Sequence, residues 1–395
     1  MHKTIFKTLV LFLVVATSFA QNLSLDKGRV TTKNYYTEIP YENVNGKLII
    51  PVTIKNKTYR FLFDTGAPNL ITSELKEQLN LESGNNISVS DANNASQKME
   101  IIRIPLFTLG NVSFKNTTTL VYGGTDNILF DCFQIDGIIG SNIFKKSIVQ
   151  ISSKKQVIII TNSSKKLNLK KQKASKLKLI GAQSSPYFQL ELNGEKKITE
   201  NVLFDTGASG FYDLCLKHYK TFKPHNVVTT LSEGKGASSI GLFGIGETQN
   251  QCRVKIQKLS INGTTFSNVN TITESDNNSR IGSELLNHGT VTLDFKNKKF
   301  YFFSFKSDID LEEKQLGFTP TLNNKKFIVG FVWDDSIKDK IAFGDEILEV
   351  NGIDFKTISI CNFITKESAF KENDTLDIIF KNSKGDTKKL RLKKQ

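Results

Sequence analysis

Phe61-Leu62-Phe63-Asp64-Thr65-Gly66-Ala67 returns as Val202-Leu203-Phe204-Asp205-Thr206-Gly207-Ala208, with the two aspartates 141 residues apart. At average residue usage, one Asp-Thr-Gly-Ala arises by chance in on the order of one such chain in a hundred, so a second copy is a repeat rather than a coincidence. The flanks repeat as well. Ahead of the first copy, Leu48 to Ile54, a turn at Asn56-Lys57, and Tyr59 to Phe63 read as a β-hairpin. Ahead of the second, Tyr187 to Leu192, a turn at Asn193-Gly194 and a strand ending at Phe204 read the same way. Downstream, Ile138-Ile139-Gly140-Ser141 puts Gly140 76 residues after Asp64, and Arg280-Ile281-Gly282-Ser283 puts Gly282 77 residues after Asp205. Each copy then closes on an alternating strand pair, Ile148 to Ile160 and Thr290 to Phe305. The expected fold is mainly β, with two duplicated lobes.

The 395 residues exceed one ordinary core and suit three domains. Residues 1–20 pair a basic start (His2, Lys3, Lys7) with an apolar run from Thr8 to Val15 and end on Ser18, Phe19 and Ala20, the pattern of a cleaved signal peptide. Export to a periplasm or the extracellular space follows as an expectation. No later run reaches the ~20 apolar residues of a membrane span. Lobe 1 is expected over 21–161, a Lys-rich linker over 162–178, lobe 2 over 179–309 and a further domain over 310–395.

The net charge of +14 comes from dispersed lysines, including Lys165, Lys166, Lys170, Lys171 and Lys173, without a nucleic-acid-binding signature, so no nucleic-acid partner is expected. Cys132, Cys215, Cys252 and Cys361 form no C-x-x-C, and His2, His218, His225 and His288 are scattered; no metal or other cofactor is expected. In an oxidising space Cys215 and Cys252, which lie in the same half, could pair. A serine nucleophile lacks its Gly-x-Ser-x-Gly elbow.

Two carboxylates sharing one proton suit hydrolysis of a peptide bond. The ionised one takes a proton from water while the protonated one donates to the carbonyl oxygen. Like charges a few ångströms apart split their titrations, which holds the one-proton state over a usable pH range. Thr65 and Thr206 are candidates to hold the loops together, and Gly66 and Gly207 to turn backbone N–H groups toward the carboxylates. With both Asp-Thr-Gly-Ala loops and the apolar-Gly segments that pass beneath them, residues 40 to 305 resemble the pepsin and retropepsin superfamily of aspartic peptidases. That resemblance implies a single-chain pseudo-dimer of retropepsin-like lobes in which Asp64 and Asp205 activate water. Ala67 and Ala208 look retropepsin-like; they offer no hydroxyl to the ionised carboxylates, so the pair is expected to titrate higher. Arg280 departs from the pattern, since a charge in a crossing segment must find a partner or solvent. Covering flaps are expected near Ser90 to Glu100 and Glu233 to Glu247.

Residues 310 to 395 resemble a PDZ domain, above all at Gly344-Asp345-Glu346-Ile347-Leu348-Glu349-Val350-Asn351-Gly352. The resemblance implies a carboxylate-binding loop at Leu316, Gly317 and Phe318, a strand over Phe327 to Val332, a helix over Thr357 to Glu367, strands over Leu376 to Phe380 and Lys389 to Leu392, and C-terminal peptide ligands. The expected function is exported aspartic endopeptidase action on protein or peptide substrates by a monomer. The alternative is an exported peptide-binding adaptor of the same fold without activity.

Overall fold

The computed structural model describes residues 25–395 apart from residues 125–126, 170–171, 367–368 and 372. The expected leader at 1–20 lies outside the described residues, as do Lys170 and Lys171 of the expected linker. Among the described residues no helix is long and apolar enough to cross a membrane.

The chain is mainly β. Strands Lys47–Ile54 and Lys57–Asp64 form the first hairpin. Its two turn residues, Lys55 and Asn56, have φ of 49° and 64°, the left-handed pair that suits the twist of a two-residue hairpin turn. Along its first strand Leu48, Ile50, Val52 and Ile54 alternate into the core. After Asp64 the chain runs through further strands of this sheet before Gly137–Gly140 inserts parallel to Phe61–Asp64 and antiparallel to Leu70–Ile71. The second half repeats the arrangement. Ser185–Asn193 pairs with Lys197–Asp205, and Arg280–Gly282 lies parallel to Leu203–Asp205 and antiparallel to Tyr212–Asp213.

In the first half, Lys47–Ile54, Lys57–Asp64, Gly137–Gly140, Leu70–Thr72, Val112–Tyr122 and Ser96–Leu109 pair in a closed circuit. Ser185–Asn193, Lys197–Asp205, Arg280–Gly282, Tyr212–Cys215, Thr264–Glu274 and Gln249–Ile261 close a matching one in the second. The strand pairs that follow each crossing do not close their halves separately. They merge into one sheet, Ala174–Lys176, Lys299–Ser304, Gly289–Asp294, Ile148–Ser152, Val157–Thr161 and Tyr36–Pro40, joined where Ile148–Ile151 pairs with Val291–Asp294. This shared sheet makes the two halves one apolar core, with Val149 and Ile151 beside Val291 and Leu293. The two aspartate loops therefore sit on one continuous packed body.

Asp308–Asp310 still pairs with Thr265–Ser267 of the second half, and the C-terminal sheet begins at Phe318. Its strands run in the order Phe318–Asn323, Lys326–Val332, Glu346–Val350, Thr375–Lys381, Thr387–Lys393 around a separate core. The helix expected over Thr357 to Glu367 is shorter, Ile360–Thr365, because Ser359 caps its N-terminus by accepting from the Asn362 N–H.

This sheet is fastened to both halves. The Ala237 N–H donates to the Gly330 carbonyl at 3.1 Å, and Arg253 lies 5.0 Å from the Trp333 ring centroid while donating to the Leu316 carbonyl at 3.0 Å. On the other side Cys132 of helix Ile128–Phe133 is disulfide-bonded to Cys361. The pairing considered for Cys215 and Cys252 does not form, and both are free thiols. Strand Thr264–Glu274 runs between their strands. Two strand spacings, about 9–10 Å, exceed the ~7 Å Cα separation a disulfide tolerates.

Candidate active site

Each aspartate is the last residue of a strand, two places beyond the end of its hairpin pairing and beside the crossing segment, with Asp64 opposite Gly140 and Asp205 opposite Gly282. The following threonines lock the two loops. The Thr65 hydroxyl donates to the Phe204 carbonyl at 2.6 Å and accepts from the Thr206 N–H at 3.1 Å. The Thr206 hydroxyl donates to the Phe63 carbonyl at 2.7 Å and accepts from the Thr65 N–H at 3.1 Å. With exposures of 1% and 0%, these four bonds work without competition from water.

Gly66 and Gly207 serve the same contact. A Cβ on Gly66 would lie 2.6 Å from Cγ of Asp205, and one on Gly207 2.3 Å from Oδ2 of Asp64. Only glycine lets each loop approach the other's carboxylate this closely. Their N–H groups also point inward: Gly66 and Ala67 donate to Asp64 Oδ1 at 2.8 and 3.1 Å, and Gly207 donates to Asp205 Oδ1 at 2.8 Å. The Ala208 N–H instead bonds the Asp205 carbonyl at 3.2 Å. Asp64 is pushed up to about 7 by burial first and by the neighbouring Asp205 charge second.

The surroundings are less symmetric than the loops. Arg280 places Nη1 3.3 Å from Asp205 Oδ2 and Nε 3.7 Å from Asp213 Oδ2, and its Nη2 bonds Asp276. Burial opposes the Arg280 charge, but Asp205, Asp276 and Asp213 more than restore it. Burial raises Asp213 and Asp276, and lifts Glu274 to about 7. From the other half Lys47 donates its ammonium to the Gly207 carbonyl, and burial pulls its pKa down. Reading the sequence missed Lys47, Asp213, Glu274 and Asp276. The one available signal was Arg280 itself, whose charge in an apolar segment had to find a partner or solvent.

The segments expected to cover the site are hairpins whose tips meet. Asn85–Ser90 pairs with Ser96–Leu109, and Thr229–Gly236 with Gln249–Ile261. Ser239 Oγ and Asn93 Oδ1 are 2.6 Å apart, and the Phe243 N–H donates to Asp91 Oδ2 at 3.0 Å. Leu242, Phe243, Val89 and Ala67 all pack against one apolar cluster that includes Met99.

Leu316, Gly317 and Phe318 are not part of this site. Leu316 and Phe318 are buried in the C-terminal core. The Gly317 carbonyl accepts from the N–H groups of Trp333 and Asp334 at 2.8 and 3.0 Å. Arg253 of the second half donates to the Leu316 carbonyl of this loop.

Residues 50–143 match the family model described as aspartyl protease, a stretch that contains Asp64 and its crossing segment and stops short of Asp205. No curated protein matches the chain. Among solved structures, the chain is similar to a retropepsin-like aspartic protease from Rickettsia conorii, at 20% identity over 34% of this chain and 94% of that one, with a TM-score of 0.25. It is also similar to an aspartic proteinase from Irpex lacteus, at 12% identity over 69% of this chain and 98% of that one, with a TM-score of 0.42.

Proposed function

We propose that the chain is an exported aspartic endopeptidase that hydrolyses peptide bonds in proteins or peptides, with Asp64 and Asp205 as its catalytic residues. The observation that carries this reading is the close approach of each carboxyl to the other loop's glycine, on loops locked by Thr65 and Thr206. A water held between them loses a proton to the ionised carboxylate as its oxygen attacks the peptide carbon. The protonated carboxyl gives its proton to the carbonyl oxygen. As the diol collapses and the C–N bond breaks, one hydroxyl returns its proton to the carboxylate that supplied it, and the leaving nitrogen takes up the proton first drawn from water. The match of residues 50–143 to an aspartyl protease model supports the same chemistry.

The reading extends to the whole chain as lobes over 21–161 and 179–309 acting as a monomer, with 310–395 as a PDZ-like domain that recruits polypeptide C-termini. Strand Phe318–Asn323 lies at the edge of its sheet, where a peptide could add as a further strand. A peptide bearing a tetrahedral hydroxyl-carbon in place of the scissile carbonyl tests the proposal. Tight binding that is lost in Asp64→Asn supports an assembled pair. Equal binding by the wild type and Asp64→Asn favours an inactive peptide-binding adaptor.

A further inference from the structure

The two loops match each other, but what lies behind them does not. The residue two places before the crossing glycine is Ile138 in the first half, paired with Leu62, and Arg280 in the second, paired with Leu203. Ile138 is buried among apolar neighbours. Arg280, only 12% exposed, reaches the carboxylate of Asp205. A guanidinium stays charged at any working pH, so one member of the carboxyl pair has a fixed cation at its outer oxygen.

We infer that Arg280 is a positioning residue that breaks the symmetry of the pair, holding Asp205 ionised as the base and leaving the shared proton on Asp64 as the acid. The chemical consequence rests on the peptidase reading above; the placement of the proton does not. The groups that bear on Asp205 are Asp64, Arg280, Asp213, Asp276, Lys47 and the Tyr187 phenol. Glu274 adds its charge to Arg280. Lys47, whose charge bears on Asp64 ahead of Asp205, forms an ion pair with neither: its ammonium is committed to the Gly207 carbonyl, and burial disfavours its charge. Asp213 and Asp276 compete for the guanidinium, yet burial raises both and so disfavours their charged forms. Among the described residues no cation forms an ion pair with Asp64, Lys47 acts on it only through charge at longer range, and its Oδ1 is occupied by two backbone donors.

The test is ¹³C NMR of the full chain labelled at aspartate carboxyls, with the two signals assigned from Asp64→Asn and Asp205→Asn, alongside the pH profile of peptide cleavage. Between the pair's two proton-loss steps, the protonated signal belongs to Asp64. In Arg280→Gln the lower step moves up by about 1–3 pH units, the range expected on losing an opposite charge at this distance, and the acid limb of cleavage moves with it. Asp276→Asn moves the lower step down, because it removes a competing carboxylate; this variant decides the matter if Arg280→Gln does not fold. A lower step unmoved in either variant, or a proton residing on Asp205, overturns the inference. Shifted NMR steps in a chain that cleaves no peptide would sink the peptidase reading and leave the proton placement standing. Cleavage with unshifted steps would do the reverse.

Discussion

Thr65 and Thr206 each donate to the carbonyl just ahead of the other's aspartate, Thr65 to Phe204 at 2.6 Å and Thr206 to Phe63 at 2.7 Å. The bonds tie two loops 141 residues apart in sequence directly across the site. Position and stability are thus coupled at one contact, since neither loop is held in place without the other.

Thr65→Val keeps the shape of the side chain and leaves the Phe204 carbonyl and the Thr206 N–H unpaired in a dry interior. The expected cost is about 1–3 kcal/mol for each orphaned group. Thr206→Val costs a similar amount, and the double variant costs less than the sum, with a coupling of about 0.5–3 kcal/mol. Denaturant unfolding of the four proteins checks this. Additive losses would mean that the two hydroxyls act independently.

Glu274 makes stability depend on pH in a defined direction. Its carboxyl is lifted from 4.5 to about 7, by burial first and by Asp213 second. Between those values the folded chain holds a proton that the unfolded chain has released, so stability falls as pH rises. Glu274→Gln removes that term. Its melting temperature relative to wild type is therefore expected to be level below pH 4.5, to climb through the interval, and to plateau above about 7. A difference independent of pH contradicts the assignment.

The Cys132–Cys361 bond closes a loop with a sequence separation of 229 and fastens the C-terminal sheet to the first half. Cys132→Ser with Cys361→Ser is expected to lower stability by about 2–4 kcal/mol. Reductant should lower the wild type's melting temperature toward the variant's and leave the variant unchanged. Loss of stability on reduction in the variant as well would point to some other group.

How far the site could be read in advance depended on whether its parts repeat. Asp64 and Asp205, their glycines and the crossing segments stand out because one half labels the other, and hairpin alternation such as Leu48, Ile50 and Val52 is a local signal. Parts that occur in one half only leave no such trace. Lys47 begins an ordinary strand, and nothing near it in sequence announces a bond to Gly207. Asp213, Glu274 and Asp276 come together only when Tyr212–Cys215 lies between Arg280–Gly282 and Thr264–Glu274. The cysteine pairing was hidden for the same reason: proximity in the chain favoured Cys215 with Cys252, whereas the fold puts a strand between them and brings helix Ile128–Phe133 to helix Ile360–Thr365.

The central claim is that Asp64 and Asp205 act as one catalytic unit. Its most direct test is cleavage of a quenched fluorescent peptide library by the wild type, Asp64→Asn, Asp205→Asn and the double variant, each verified as folded by its melting temperature. The account predicts a loss of at least about 10³-fold in kcat for either single variant and little further loss in the double, as for residues that work together. Near-normal turnover by either single variant would contradict it.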